Sequence, residues 1–189
     1  MAKLINQNQI KAAPKKANKL VRNNNGTGLG RLTLLDLVSN TPDNIKSNSL
    51  NDHCRVAFKG QYTKHTGAVV YAYSCGCSGR PHTALVEVPA DSDPGQVGVV
   101  VQCTCEYFVF TLEVVLADRG MSHNNYALPQ WPVIKNPNGS LHACKHLILI
   151  TNDVILRSRG EGKSKRLRPY EVVKMRDKSF ENSRRMAKQ

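Results

Sequence analysis

The chain has 189 residues, a mass of 20.9 kDa and a formal net charge of +13. Apolar residues make up 40% of it, enough for one modest core, and no run of 18 apolar residues occurs, which excludes a membrane-spanning helix. Met1-Ala2-Lys3-Leu4-Ile5-Asn6-Gln7 lacks the apolar stretch of a secretory leader, so synthesis in a reducing cytoplasm is expected, where six cysteines suggest metal before disulfides.

Residues 1–31 hold seven Lys and Arg and no acid, among them Lys15, Lys16, Lys19 and Arg22. With the flexible run Asn23-Asn24-Asn25-Gly26-Thr27-Gly28-Leu29-Gly30 they predict an extended basic arm. These glycines do not spell a dinucleotide-binding loop, and no strand precedes them. Leu32 to Val38 reads as a short helix or anchor, and Asn40 to Asp52 as polar loop.

A β-rich body follows. Arg55–Gly60, Thr66–Ser74, Ala84–Val88 and Val97–Thr104 carry the β-branched and aromatic residues of strands, and short turns between them favour an antiparallel sheet. Cys75-Gly76-Cys77-Ser78-Gly79-Arg80-Pro81 reads as the connection between two strands. Tyr107 to Arg119 fits both a helical stripe and a strand, and Gly120, placed as a residue just past a helix end, favours the helix. After a loop containing Pro129, Trp131, Pro132 and Pro137, a last helix runs from about Lys145 through Ile155 and stops at Gly160. Residues 157–189 carry twelve Lys and Arg against four acids and predict a second basic arm. Candidate contacts for a polyanion or an acidic partner there are Lys163, Lys165, Arg166, Arg168, Arg184 and Arg185. The division expected is therefore 1–31 arm, 32–156 β-rich domain, 157–189 arm, with an α+β fold.

Chemistry concentrates in Cys103-Thr104-Cys105 and Cys144-Lys145-His146. In a strand, residues two apart share a face, so the first pair of thiols can grip one ion. In a helix interior they would diverge by about 200°, so Cys144 and His146 must straddle a helix start, whose positive dipole end favours a bound thiolate. Three thiolates and one imidazole satisfy a closed tetrahedral structural Zn²⁺ site with no open position for activated water. His142 is an alternative to His146 as the fourth ligand. Cys75 and Cys77, with Cys54 and either His82 or His53, could form a second metal site; the plainer reading is turn residues with free thiols.

The pattern C-x-C, an intervening segment, then C-x-H opening an apolar helix resembles the SWIM zinc-finger family, and Cys144-Lys145-His146-Leu147 is close to that family's C-K-H-hydrophobic ending. The resemblance implies ligand roles for Cys103, Cys105, Cys144 and His146 and a ββα arrangement around them. The 38 residues between Cys105 and Cys144 exceed the family's common spacing. With Cys103-Thr104-Cys105-Glu106-Tyr107-Phe108 and a Pro- and Asn-rich insert before the C-K-H, residues 55–155 are similar to small SWIM-bearing proteins of tailed bacteriophages. This implies a virion component of the neck, tail or baseplate, made in the host cytoplasm, with other virion proteins as partners. SWIM modules in general imply DNA or protein binding, so a nucleic-acid-binding factor making non-specific phosphate contacts through the arms is the alternative. An enzyme is not expected: H-E-x-x-H, G-x-S-x-G and G-x-x-x-x-G-K-[ST] are all missing from the sequence.

Overall fold

The computed structural model describes residues 32–51, 54–77, 80–122 and 136–186. The N-terminal arm, with Lys15, Lys16, Lys19 and Arg22, lies outside the described residues, as do His53, His123 and Trp131.

Strands β1 (Arg55–Thr63), β2 (Val69–Cys77), β3 (Arg80–Val88) and β4 (Val100–Cys103) form one antiparallel sheet in chain order. Alternation along β2 sends Tyr71, Tyr73 and Cys75 to the main core and Val70 and Ala72 to the opposite face. Three short elements and a long helix cover the main face. Helix α1 (Leu34–Ser39) starts at Thr33, whose hydroxyl accepts the Asp36 N–H at 3.0 Å while the Asp36 carboxylate accepts the Thr33 N–H at 2.9 Å. Leu34 and Leu37 are fully buried beneath it.

The stretch expected to be polar loop holds a helix instead, α2 (Asp43–Asn51). Pro42 begins it by offering its carbonyl to Ile45 and Lys46, and its contacts with the last core helix stabilise a segment whose composition alone is too polar to predict one.

Residues 107–119 are helical, in two registers: a π-helical stretch (Phe108–Leu112) runs directly into α3 (Glu113–Asp118). Phe108, Leu112, Val115 and Leu116 are fully buried. Gly120, at φ +68°, closes the helix as its N–H donates to Ala117 and the Met121 N–H to Leu116. The same closure ends α4 (Lys145–Ser158), with Gly160 at φ +82° and the Glu161 N–H donating to Leu156. Helix α4 is tied to the sheet by a buried-to-surface relay. The fully buried Tyr73 donates its hydroxyl to Asp153 at 2.8 Å, Arg157 donates to the same carboxylate oxygen at 2.7 Å, and the Arg157 guanidinium lies 3.7 Å over the Phe58 ring.

The C-terminal region corrects the expectation of an extended arm. Residues 165–167 run along the open edge of β1, where the Gln61 N–H donates to Lys165 at 2.7 Å and the Leu167 N–H to Gln61 at 2.8 Å. Gly60, in the bulge that follows Phe58, permits this approach: its φ is +144°, and a Cβ there would lie 2.6 Å from the Lys165 carbonyl oxygen. Helix α5 (Pro169–Met186) then crosses the second face of the sheet, burying Val172 against Val70, Ala72 and Leu85. This cover explains why β3 is buried on both faces from Thr83 to Val88. Among the described residues no helix is long and apolar enough to cross a membrane.

Candidate metal centre

The end of β4 and the start of α4 meet beneath α1. Cys103 is the last residue of β4, and the pairing continues one step further, with the Thr104 N–H donating to Thr83 at 3.0 Å. Cys105 has already left the strand. Its sulfur accepts the Phe108 N–H at 3.4 Å and its carbonyl accepts the Val109 N–H at 3.0 Å, so it opens the following helical turn. Cys144 is the N-cap of α4, with extended backbone, and His146 is the second residue of the helix. The approach to Cys144 is held by Ala143, whose N–H donates to the Leu37 carbonyl and to the Thr41 hydroxyl, both at 3.0 Å.

These elements bring together one ligand atom each from Cys103, Cys105, Cys144 and His146, all within 4.8 Å of one another. All four residues are 5% exposed or less. The cluster could hold a metal ion. His146 presents Nδ1 to it, 3.5 Å from the Cys103 sulfur.

Burial and mutual contact set the electrostatics of the donors. Burial, reinforced by the neighbouring sulfurs of Cys105 and Cys144, pushes the Cys103 thiol well above the usual thiol range. For Cys105 the hydrogen bond with Cys103 pulls downward, but Cys144 and burial prevail and its thiol is also raised. Burial pushes Cys144 upward too, yet hydrogen bonds from Cys103, Cys105 and His146 outweigh it and hold that thiol well below the usual range. Three thiolates side by side in a buried pocket would require a cation among them.

The remaining cysteines and histidines are arranged differently from the second-site quartet. Cys75 and Cys77 lie within β2, because the strand continues through Gly76 instead of turning at Cys75. Cys75 is a free thiol in the main core, its pKa raised to about 12 by burial and then by Cys144. It packs as a small apolar side chain. Cys77 is joined to Cys54 by a disulfide, which corrects both the free-thiol reading and the order of metal before disulfide for this pair. Strand pairing sets Arg55, the neighbour of Cys54, opposite Gly76, the neighbour of Cys77, a cross-strand proximity that sequence spacing does not reveal. The structure groups Cys54 and Cys77 with His146 rather than with Cys75. His82 lies beside His146, ring centroids 4.9 Å apart, its pKa lowered to about 4 by burial and then by the neighbouring His146. His142 does not join the ligand cluster: Nε2 is 2.9 Å from the Tyr107 hydroxyl and Nδ1 is 3.1 Å from the Ser140 hydroxyl.

A cavity of about 400 Å³ opens beside the centre and is lined by Cys77, His82, Cys105, Lys145 and His146 among others. A shallow groove of about 440 Å³ runs between β1 and α5, lined by Lys59, Lys165, Lys174 and Lys178 together with Tyr170 and Glu171 among others. Lys163, Lys165, Arg166 and Arg168 are exposed on the segment leading into α5; Arg184 and Arg185 lie within the helix. Lys59 was not singled out from sequence, since only the pairing of residues 165–167 with β1 brings it to the C-terminal lysines. No family model, curated protein or solved structure matches the chain.

Proposed function

We propose that the chain is a non-enzymatic structural and interaction protein stapled by one Zn²⁺ ion at Cys103, Cys105, Cys144 and His146. The observation that carries this reading is the closed, buried set of three sulfurs and one imidazole nitrogen. Zn–S and Zn–N lengths of about 2.3 and 2.0–2.1 Å at tetrahedral angles give an S···N edge of about 3.5 Å. The Cys103–His146 separation is 3.5 Å. Protein donors fill all four positions, as in a structural site, and the complex of three thiolates with one Zn²⁺ carries about one negative charge, offset by its place at the positive end of α4. The ion joins the end of the sheet to the start of the last core helix.

The likeness to SWIM-bearing phage proteins supports a virion component, with the basic surfaces facing neighbouring subunits. Stoichiometric recovery of the protein from purified particles would support that placement, and its absence from them would count against it. The groove, lined by four lysines against one acid and by Tyr170, favours a second reading, binding of nucleic-acid phosphates with one aromatic platform. In that case affinity for random-sequence DNA falls steeply between about 50 and 200 mM salt, and Lys174→Glu/Lys178→Glu lowers both the affinity and the salt slope. Salt-independent or undetectable DNA binding would reject it.

A further inference from the structure

The imidazole of His146 faces sulfur on both sides. Its Nδ1 lies 3.5 Å from Cys103, and its Nε2 lies 3.0 Å from Cys77. The Cys77 contact belongs to neither the core nor the proposed zinc staple. Cys54, Cys77 and the nearer nitrogen of His146 form a second compact donor set, with all three atoms within 4.8 Å of one another. As a disulfide, the two sulfurs are weak acceptors, and Nε2–H can do no more than donate a hydrogen bond to Cys77.

We propose that reduction of the Cys54–Cys77 disulfide opens a second metal site, in which the two freed thiolates and Nε2 of His146 hold an ion of the zinc class and the imidazole bridges two centres. Three features of the molecule support this. The pair is reachable: Cys77 and His146 both line the 400 Å³ cavity, and Cys54 is only half-buried, so a thiol reductant and a hydrated ion have a path to it. A fourth donor stands nearby. His82 lines the same cavity beside His146, and its buried Nδ1 has no hydrogen-bond partner among the described residues. The disulfide also joins two strands that are already paired, so its reduction leaves the β1–β2 register in place and the thiols still facing each other.

The chemistry balances with a dithiol as reductant. The dithiol gives two electrons and two protons to the Cys54–Cys77 bond and becomes a cyclic disulfide, leaving two protein thiols. When the ion binds, these two thiols and Nε2 of His146 release their protons to solvent, and the sulfurs settle at the roughly 3.8 Å edge of a tetrahedral site. Two thiolates and imidazole are the donors that select zinc-like ions over magnesium or calcium. The inference rests on the first site only through His146.

The test is zinc stoichiometry on the full-length chain, with the ion itself as the probe. Zinc-loaded protein with the disulfide intact is compared with the same protein after dithiothreitol treatment, removal of reductant under argon and equilibration with excess Zn²⁺. We expect a gain of one equivalent on reduction. No gain overturns the proposal whatever the starting content, whereas a starting content of zero overturns the reading of the first site instead. The Cys54→Ser/Cys77→Ser chain should hold the same content in both conditions; a gain on reduction in that variant would also overturn the assignment. Should that variant not fold, blocking the reduced wild type with iodoacetamide while its first ion is bound serves the same purpose. Blocking is expected to abolish the gain, and a gain that survives it rejects the site.

Discussion

Replacing Tyr73 by Phe removes one oxygen from the fully buried centre of the sheet and leaves the ring in place. What is lost is the 2.8 Å hydrogen bond that joins β2 to Asp153 on α4, the helix that carries Cys144 and His146. A hydrogen bond to a charged acceptor contributes about 1.5–3 kcal/mol. Here Asp153 keeps Arg157 at 2.7 Å, and its side chain is 42% exposed, so water replaces the lost donor on the carboxylate. We therefore expect a loss of about 1–2 kcal/mol, or a 5- to 30-fold lower ratio of folded to unfolded chain. In urea, with m of about 2 kcal/mol/M, the midpoint should fall by about 0.5–1 M while m stays unchanged. The assay is equilibrium unfolding of the metal-loaded protein, repeated with Asp153→Ala and with the double variant. The double variant should cost less than the sum of the singles, because both changes remove the same contact. A Tyr73→Phe change within about 0.3 kcal/mol of wild type, or strict additivity with Asp153→Ala, would refute the relay as a tie between sheet and helix.

Gly60→Ala should displace residues 165–167 from the β1 edge at a cost of about 1–3 kcal/mol and expose the Lys163–Arg168 segment to trypsin; wild-type resistance would contradict the close approach drawn here. Val172→Asp places a carboxylate against Val70, Ala72 and Leu85 and should lower stability by about 2 kcal/mol or more without changing metal content, since it acts on the opposite face of the sheet. An unchanged unfolding midpoint would mean that α5 does not cover that face. Burial raises the Asp93 carboxyl, but the Arg159 guanidinium and the Gly95 N–H outweigh it and hold it below the usual carboxylate range. Its folded pKa lies below its unfolded one, so its contribution is present above about pH 4 and is lost as the pH falls through the folded value. Wild type should accordingly exceed Asp93→Asn in stability near pH 6, with the gap closing on acidification; a gap that is constant or widens at low pH would contradict this.

Much of the body was legible because it rests on local signals. The β-branched and aromatic runs of Val69–Tyr73 and Ala84–Val88, the glycines at 120 and 160, and the Cys144–His146 pair each encode their geometry within a few residues. The C-x-H spacing required a helix start between its members, and Cys144 does cap α4. The failures occur where distant segments decide. Asp43–Asn51 is too polar to declare a helix, and packing against α4 stabilises it there. Residues 169–186 look like a solvated basic tail because little more than Val172 and the hydrogen bonds between Thr83 and Ser179 and Met175 seat them. Cys75 and Cys77, flanked by glycines, resemble a turn, but the long β2–β3 pairing carries the strand through them. The Cys54–Cys77 link follows from the β1–β2 pairing and from nothing local. Within the metal cluster, sequence placed both members of the first pair in a strand; the structure moves Cys105 into the next helical turn, where the Phe108 N–H can reach its sulfur.

The most direct test of a zinc staple at Cys103, Cys105, Cys144 and His146 is the unfolding transition of the purified chain with its ion and after removal by a strong chelator. One equivalent of zinc, with loss of cooperative unfolding on chelation and the same loss in Cys105→Ser, is the expected result, since metal binding of this kind supplies about 10 kcal/mol or more of folding free energy. A chain that carries no zinc, or that unfolds with the same midpoint and cooperativity once the metal is gone, would contradict the account.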